Sequence, residues 1–376
     1  MRSALRGAMR YMLGKRGERR IQGWLLYYRM RVLVALATSQ SFKGITRFKD
    51  FWLWADSEAF PRVKKLIKKA QHTVIIQMFI WKDDELGREI ASVLTSVADR
   101  GVKVYITKEA VGDFFEMEGD FITTKENQHP LWRKFWTHPN IRISHTNNND
   151  HAKVYIIDDE IMLLSGMNIA NEYHESWHDY MVEIHGTKFV QQYLTFGEIS
   201  GPTHPLQLVM NTERVKEIRP CVMQLLADAK RNIVIEQCYI SDPLVIEKLI
   251  ERTKAGVEVT IITPSSPDIH YYSNMQAIAH LMKEANHRKL SVFLHPKIVH
   301  GKIILVDRKH AFVGSANLMT SSLDDMGEVN VLVHGKTSKF MVKLKEILRK
   351  DILASRPLKS PPSLYFFGRW LAWLKL

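Results

Sequence analysis

Cysteine is nearly absent from this 376-residue chain: Cys221 and Cys238 are its only two. That is too few for a disulfide framework. Cys238 falls in a predicted buried strand, so packed thiols are expected. No apolar run reaches the roughly 18 uninterrupted residues that a membrane-spanning helix requires. No group of carboxylates shows metal-site spacing, so neither a metal nor a cofactor is expected, and a bound phosphate would be met by side chains alone. With 45% of residues hydrophobic and 10% aromatic, a disordered body is excluded, and the length allows two domains with proper cores.

The middle of the chain also lacks positive charge. The net charge is +13, but residues 1–31 carry +8 and residues 336–376 another +8, which leaves 32–335 at −3. The tails that hold the charge are also greasy: Trp24–Tyr28 and Val32–Ala37 follow the first basic block, and Leu364–Leu376 ends the chain. Basic residues beside Trp, Phe and Leu suit a helix lying on an anionic lipid surface; solvated or packed tails are the alternative. The Arg-rich, nearly acid-free start also has the look of an organelle transit peptide, though it is poor in Ser, while Arg29 and Arg31 interrupt any secretory apolar core.

What the chain does have is a duplication. His151-Ala-Lys153 is followed after four residues by Asp158, and His300-Gly-Lys302 after four by Asp307, at a separation of 149 residues. Each copy leads at one offset into a small-residue turn ending in Asn168 or Asn317. The apolar runs 154–157 and 303–306 predict buried strands, on which His and Lys share a face. Ile161–Leu164 and Ala311–Val313 predict a second strand beside each. The repeat extends to Thr73–Ile80 against Asn232–Tyr239, and to Arg100–Thr107 against Ala255–Ile262, with amphipathic stretches Asp84–Ala98 and Pro243–Thr253 between them. Strand, helix, strand implies a parallel crossover in each half. The expected fold is therefore α/β: two homologous halves forming one pseudo-symmetric monomer, with the site between them.

These residue types suit phosphodiester chemistry. Lys and Asn stabilise charge on non-bridging oxygens. Of two histidines, one can attack phosphorus while the other protonates the leaving oxygen, and a histidine nucleophile gives a covalent phosphohistidine. Asp158 and Asp307, at strand ends, read as structural rather than catalytic.

With these motifs the chain resembles the phospholipase D superfamily, within it the bacterial cardiolipin synthase-like branch. Phe79–Glu89, Gly166–Tyr173, Trp177–Asp179 and Gly314–Leu318 running to Glu328–Asn330 carry the likeness, over roughly residues 50 to 350. The resemblance implies His151 as nucleophile and His300 as general acid/base, an order the pseudo-symmetry could reverse. It further implies Lys153, Lys302, Asn168 and Asn317 as phosphate ligands, and Asp179 and Glu328 as the acids that orient the histidines. His270–Ser273 falls where such synthases line their substrate pocket. Ala152 after His151, Ser165-Gly166 before the first Asn, and Thr320-Ser321-Ser322 after the second depart from the pattern.

The expected organisation is a basic amphipathic segment 1–45, a first half 46–198, a Pro/Gly linker 199–205, a second half 206–352 and a basic aromatic membrane-binding tail 353–376. The aromatic stretch 112–149 has no counterpart in the other half; it could wall the reaction centre or pack on the first half. The favoured reading is a phosphatidyltransferase acting on a phosphatidylglycerol-like phospholipid, peripheral to an anionic membrane at the cytoplasmic face of the bacterial inner membrane; an organelle address is the alternative. Phospholipase D hydrolysis and phosphatidylserine-type head-group exchange are neighbouring alternatives. A metal-independent nuclease with a nucleic-acid partner is the rival from another class. It fits less well because phosphate-backbone affinity draws on Lys and Arg along the binding surface, and here they sit in the tails.

Overall fold

The computed structural model describes residues 50–112, 130–195 and 205–363. The basic lead-in, the aromatic segment from 364, the linker up to 204, and Phe114, Phe115 and Phe121 lie outside the described residues.

Two mixed sheets repeat one strand order. In the first, β1 (Asp50–Ala55), β7 (Tyr180–His185), β6 (Ile161–Ser165), β5 (Lys153–Ile157), β2 (Thr73–Met78), β3 (Lys103–Glu109) and β4 (Ile141–Thr146) lie side by side in that order. In the second the order is β8 (Leu206–Asn211), β14 (Glu328–His334), β13 (His310–Gly314), β12 (Lys302–Val306), β9 (Asn232–Gln237), β10 (Glu258–Pro264) and β11 (Leu290–His295). A short β15 (Arg356–Pro357) pairs with β11, so the chain stays on the second sheet past residue 352. The two motif strands lie where each sheet changes character. β5 is antiparallel to both β2 and β6, and β12 to both β9 and β13, while β2–β3 and β9–β10 are the parallel crossovers.

The motif strands are buried along their whole length, because each sheet is covered on both faces. Ile156, Leu164 and Val182 of the first sheet meet Ile303, Val313 and Val331 of the second in a shared inner core, joined by the helices Thr187–Leu194 and Lys339–Ala354. Each half also has an outer core under its own helices. Trp132 and Phe135, on the helix Pro130–Thr137, are buried against Trp81 in the outer core of the first half. The described end of the aromatic insertion thus packs on the first half and does not wall the reaction centre; two large apolar rings on one helical face gain more from that core than from a wet cleft.

Matching caps set the crossover helices. Asp84 accepts from Gly87 N at 2.8 Å to start the helix Glu85–Asp99, and Asp242 accepts from Val245 N at 3.0 Å to start Pro243–Lys254, as N-cap carboxylates do. Each cap also holds the loop behind its own motif, Asp84 through Asn171 N at 2.7 Å and Asp242 through the Thr320 hydroxyl at 2.8 Å.

The motif aspartates occupy equivalent turns. Asp158 accepts from the backbone N–H of Gln71, His72 and Thr73 at 2.9, 2.7 and 3.0 Å. Asp307 does the same for Lys230, Arg231 and Asn232, at 2.9, 2.7 and 3.0 Å. Each ties the entry of β2 or β9 to the end of the motif strand. Asp158→Ala and Asp307→Ala should each cost about 1–2 kcal/mol, since the freed N–H groups regain water. Urea unfolding should show the loss while turnover per folded molecule stays unchanged; an unmoved midpoint would remove the structural role.

Candidate active site

The two signatures meet at the seam between the sheets, each completed by the other half. His151 Nδ1 lies 3.1 Å from Glu328 Oε1 of the second half, and His300 Nδ1 lies 2.7 Å from Asp179 Oδ2 of the first. Backbone bonds sew the same crossing: His151 N donates to Gly327 O at 2.8 Å, and His300 N to His178 O at 2.7 Å. An Nδ1 held by a carboxylate fixes the tautomer and leaves Nε2 for chemistry. The mutual influence of His151, Lys153, Lys302 and His300 on one another's ionisation places both imidazoles in one electrostatic site.

Both lysines are buried, at 0% and 1% exposure, so their ammonium groups are held by protein atoms. Lys153 Nζ donates to His151 O at 2.6 Å, and Lys302 Nζ to His300 O at 2.5 Å, lying 2.8 and 3.1 Å from the ring nitrogens of His300. Burial pushes Lys153 well below the usual lysine range and lowers Lys302 as well. Two desolvated cations of this kind are stabilised by an arriving phosphate anion.

The two acid–histidine pairs are unequal, and the cause is one side chain. Position 315 is Ser, and its hydroxyl donates to Glu328 at 2.5 Å; the Ser322 hydroxyl donates to the other carboxylate oxygen, also at 2.5 Å. At the equivalent of Ser315 the first half has Gly166, where a Cβ would lie 2.6 Å from Asp179 Oδ2. Glycine admits the Asp179 carboxylate but gives it no hydroxyl; its second donor is Tyr180 N at 2.7 Å. Burial raises Asp179 to about 7 despite the nearby Lys302. Burial would raise Glu328 too, but His151, Lys153 and the Ser315 hydroxyl outweigh it and hold the carboxyl below its ordinary value. His151 is lowered by burial and then by the Lys153 charge, and His300 still further by burial and Lys302. The two pairs thus differ at the acid: Glu328 is held below its ordinary value while Asp179 is pushed up to about 7, and burial lowers both imidazoles.

The asparagines are unequal as well. Asn168 Oδ1 accepts from Ile80 N at 3.0 Å and its Nδ2 donates to the Tyr173 hydroxyl at 2.8 Å, so much of its amide is committed to the fold. In the second half the nearby backbone bond is one residue further on, where Asn274 Oδ1 accepts from Ile240 N at 2.7 Å. Asn317 is left with its own N–H on Ser322 Oγ at 2.9 Å and with a buried Oδ1 that has no partner. Aromatic rings close the surroundings: Phe79 lies 5.0 Å from the His151 ring, and Tyr173 and Trp177 lie 5.2 and 5.3 Å from His300. Tyr239 stands between His300 and His270, at 6.3 and 5.3 Å, and its hydroxyl donates to Asp268.

Reading the sequence missed the roles of Ser315, Ser322, Gly166 and Asn274. The first three lie in segments already singled out, two of them as departures from the pattern. Only their placement around the carboxylates shows what they do. Asn274 had no sequence signal, because it lies outside the aligned stretches of the repeat.

Two buried lysines and two carboxylate-held imidazoles are the residue types that phosphate chemistry uses. Comparison with known proteins agrees with this chemistry. A family model described as cardiolipin synthase, phospholipase D-like domain, matches residues 63–198 and 222–352. A cardiolipin synthase of Listeria welshimeri is 26% identical over 367 residues, 88% of this chain and 74% of that one. Cardiolipin synthase B of Escherichia coli is 24% identical over 310 residues, 74% of each. The crystal structure of phosphatidylserine synthase from Haemophilus influenzae superposes with a TM-score of 0.67 at 14% identity, over 89% of this chain and 94% of that chain, a likeness of fold. With both halves of the duplication matched by one model, the chain belongs to the cardiolipin synthase, phospholipase D-like domain family.

Proposed function

We propose that this enzyme is a phosphatidyltransferase of the cardiolipin synthase type, with phosphatidylglycerol as both donor and acceptor. His151 Nε2 attacks the donor phosphorus. The glycerol oxygen leaves with the proton held by the His300–Asp179 pair, and the phosphatidyl group stays on His151. The hydroxyl of a second phosphatidylglycerol then gives its proton to His300 and attacks phosphorus, releasing cardiolipin and free His151. Lys153 and Lys302 hold the non-bridging oxygens throughout. Asn317 supplies an amide from the second half, and Asn168 can offer only what its bonds to Ile80 and Tyr173 leave.

The observation that carries this reading is the crossed pairing of each histidine with an acid of the other half, in which Glu328 is held below its ordinary value and Asp179 is pushed up to about 7. The Phe79, Tyr173, Trp177 and Tyr239 rings favour a lipid hydroxyl over water as acceptor, since a dry pocket slows hydrolysis of the intermediate. The substrate is a phospholipid, and the protein associates with membranes. Among the described residues no helix is long and apolar enough to cross one. Docking at the cytoplasmic face is assigned to the basic aromatic tails because their Lys and Arg stand beside Trp, Phe and Leu.

Purified enzyme on phosphatidylglycerol labelled in one acyl chain should release cardiolipin and glycerol, resolved by mass. Phosphatidate as main product would make it a hydrolase. Head-group exchange with added serine at the expense of cardiolipin would make it a phosphatidylserine-type transferase. Plasmid cleavage without lipid turnover would move it to nucleic acid.

A further inference from the structure

Beside Asp179, a second cluster of titratable groups takes no part in the reaction. His178 is 5% exposed, Asp351 7% and Glu236 0%. They come from three places: His178 from the loop before β7, Glu236 from β9, and Asp351 from the last turn of the helix Lys339–Ala354. The cluster therefore joins first-half chain to second-half chain behind the backbone that carries His300.

Its geometry is unusual for a set of hydrogen bonds. His178 Nδ1 lies 2.7 Å from Asp56 Oδ1, the contact that would turn the Nε2 lone pair of a neutral ring toward an ion. That nitrogen stands 3.4 Å from Asp351 Oδ2 and 3.5 Å from Glu236 Oε1. Both oxygens of Glu236 and the Oδ2 of Asp351 are buried without a hydrogen-bond donor. Buried carboxylates without donors are costly, and the imidazole of His178 is the cationic partner that Glu236 and Asp351 share here. A Cβ at Gly301 would lie 2.7 Å from Glu236 Oε1, so the motif glycine leaves room for that carboxylate.

The distances have a simple meaning if the three atoms share an ion. Two ligands at about 2.0–2.1 Å from a tetrahedral zinc stand about 3.3–3.4 Å apart, too far for a good hydrogen bond and close to the separations seen. The facing atoms of His178, Glu236 and Asp351 all lie within 4.8 Å of one another. A metal-bound imidazole commonly gives its second N–H to a carboxylate, the place Asp56 holds. His178 and Asp351 also line a cleft of about 870 Å³ that reaches Lys297 and Lys339, an entry path and a source of a fourth, water ligand. The one competing contact is the Tyr180 hydroxyl, 2.9 Å from Nε2. It can turn to a carboxylate once an ion occupies the lone pair.

We propose that His178, Glu236 and Asp351 form a structural divalent-metal site, with Asp56 as the carboxylate behind the imidazole and zinc as the ion. One nitrogen and two carboxylates suit zinc better than calcium or magnesium, which take oxygen ligands. The ion pins the two halves together one residue from Asp179, whose partner is His300. It touches neither phosphate nor leaving group, so the site does not depend on which diester is turned over.

The test uses the untagged full-length chain, purified without chelator. Elemental analysis should find about one zinc per chain, and Glu236→Gln and Asp351→Asn, which keep size and shape, should each lose most of it. Dialysis against chelator should lower the melting temperature by several degrees, zinc chloride should restore it, and the Gln and Asn variants should show neither change. Wild-type protein with no bound divalent ion and no thermal response to added zinc overturns the proposal and leaves the cluster as a proton-sharing network. Zinc retained in both variants overturns it equally, because the ion would then sit elsewhere.

Discussion

His151→Ala abolishes turnover on every donor, whereas His300→Ala spares the first displacement when the leaving group needs no proton. Loss of the nucleophile should cost on the order of 10⁴–10⁶ in rate, whether the donor is phosphatidylglycerol or an activated phosphatidyl p-nitrophenyl ester. Loss of the acid should cost about 10²–10⁴ on phosphatidylglycerol and little in the p-nitrophenol burst. Without His300 the acceptor hydroxyl is poorly activated, so the phosphatidyl adduct should accumulate on His151. Intact-protein mass after a rapid non-acid quench would show it. Equal losses on both donors, or an adduct on His300, would reverse the assignment. The prediction rests on the unequal acids: Glu328 holds two serine hydroxyls and orients His151 through Nδ1, while burial and the Lys153 charge favour the neutral, attacking ring.

The second large effect lies at Glu328 itself. Glu328→Gln should lower kcat/KM by about 10³–10⁴, as expected when a carboxylate that orients an imidazole is neutralised in place. Ser315→Ala and Ser322→Ala should each cost about tenfold, the worth of one hydrogen bond to a charged acceptor, and should also reshape the pH profile. Glu328 works when ionised, so activity falls as pH drops through its pKa. That pKa is depressed in the wild type, and losing a hydroxyl donor raises it, so the acid limb moves to higher pH. The alkaline limb belongs to the other pair. Asp179 is raised to about 7, so the proton needed by the leaving oxygen is present below that pH and lost above it. Wild-type kcat/KM should then fall about tenfold per pH unit on the alkaline side, and neither serine variant should move that limb. A profile flat from pH 6 to 9, or serine variants that shift the alkaline limb instead, would be incompatible with this division of labour.

The fold was legible because the repeat wrote it twice. Runs such as 154–157 and 303–306, flanked by aligned crossover strands, made each half support the reading of the other. Much of the site was legible for the same reason: the histidines, lysines and acids stand at matching offsets. What escaped were the places where the halves differ. Gly166 against Ser315 looks like a trivial exchange of small residues until one is seen to admit a carboxylate and the other to donate to one. Asn168 and Asn317 align in sequence, yet the first is committed to Ile80 N and the second keeps an unpartnered Oδ1. The cluster of His178, Glu236 and Asp351 was invisible for a different reason. Its members lie far apart along the chain, and only the packing of the last helix under the seam brings Asp351 to the other two.

The exchange of acids across the seam has a bearing on inheritance. Because His151 depends on Glu328 and His300 on Asp179, neither repeat could have served as a self-sufficient ancestor in its present form. One repeat of this form could act only as a pair of chains, each lending its carboxylate to its twin. With both copies in one chain that loan is permanent, and a substitution in one repeat is felt by the imidazole of its sibling.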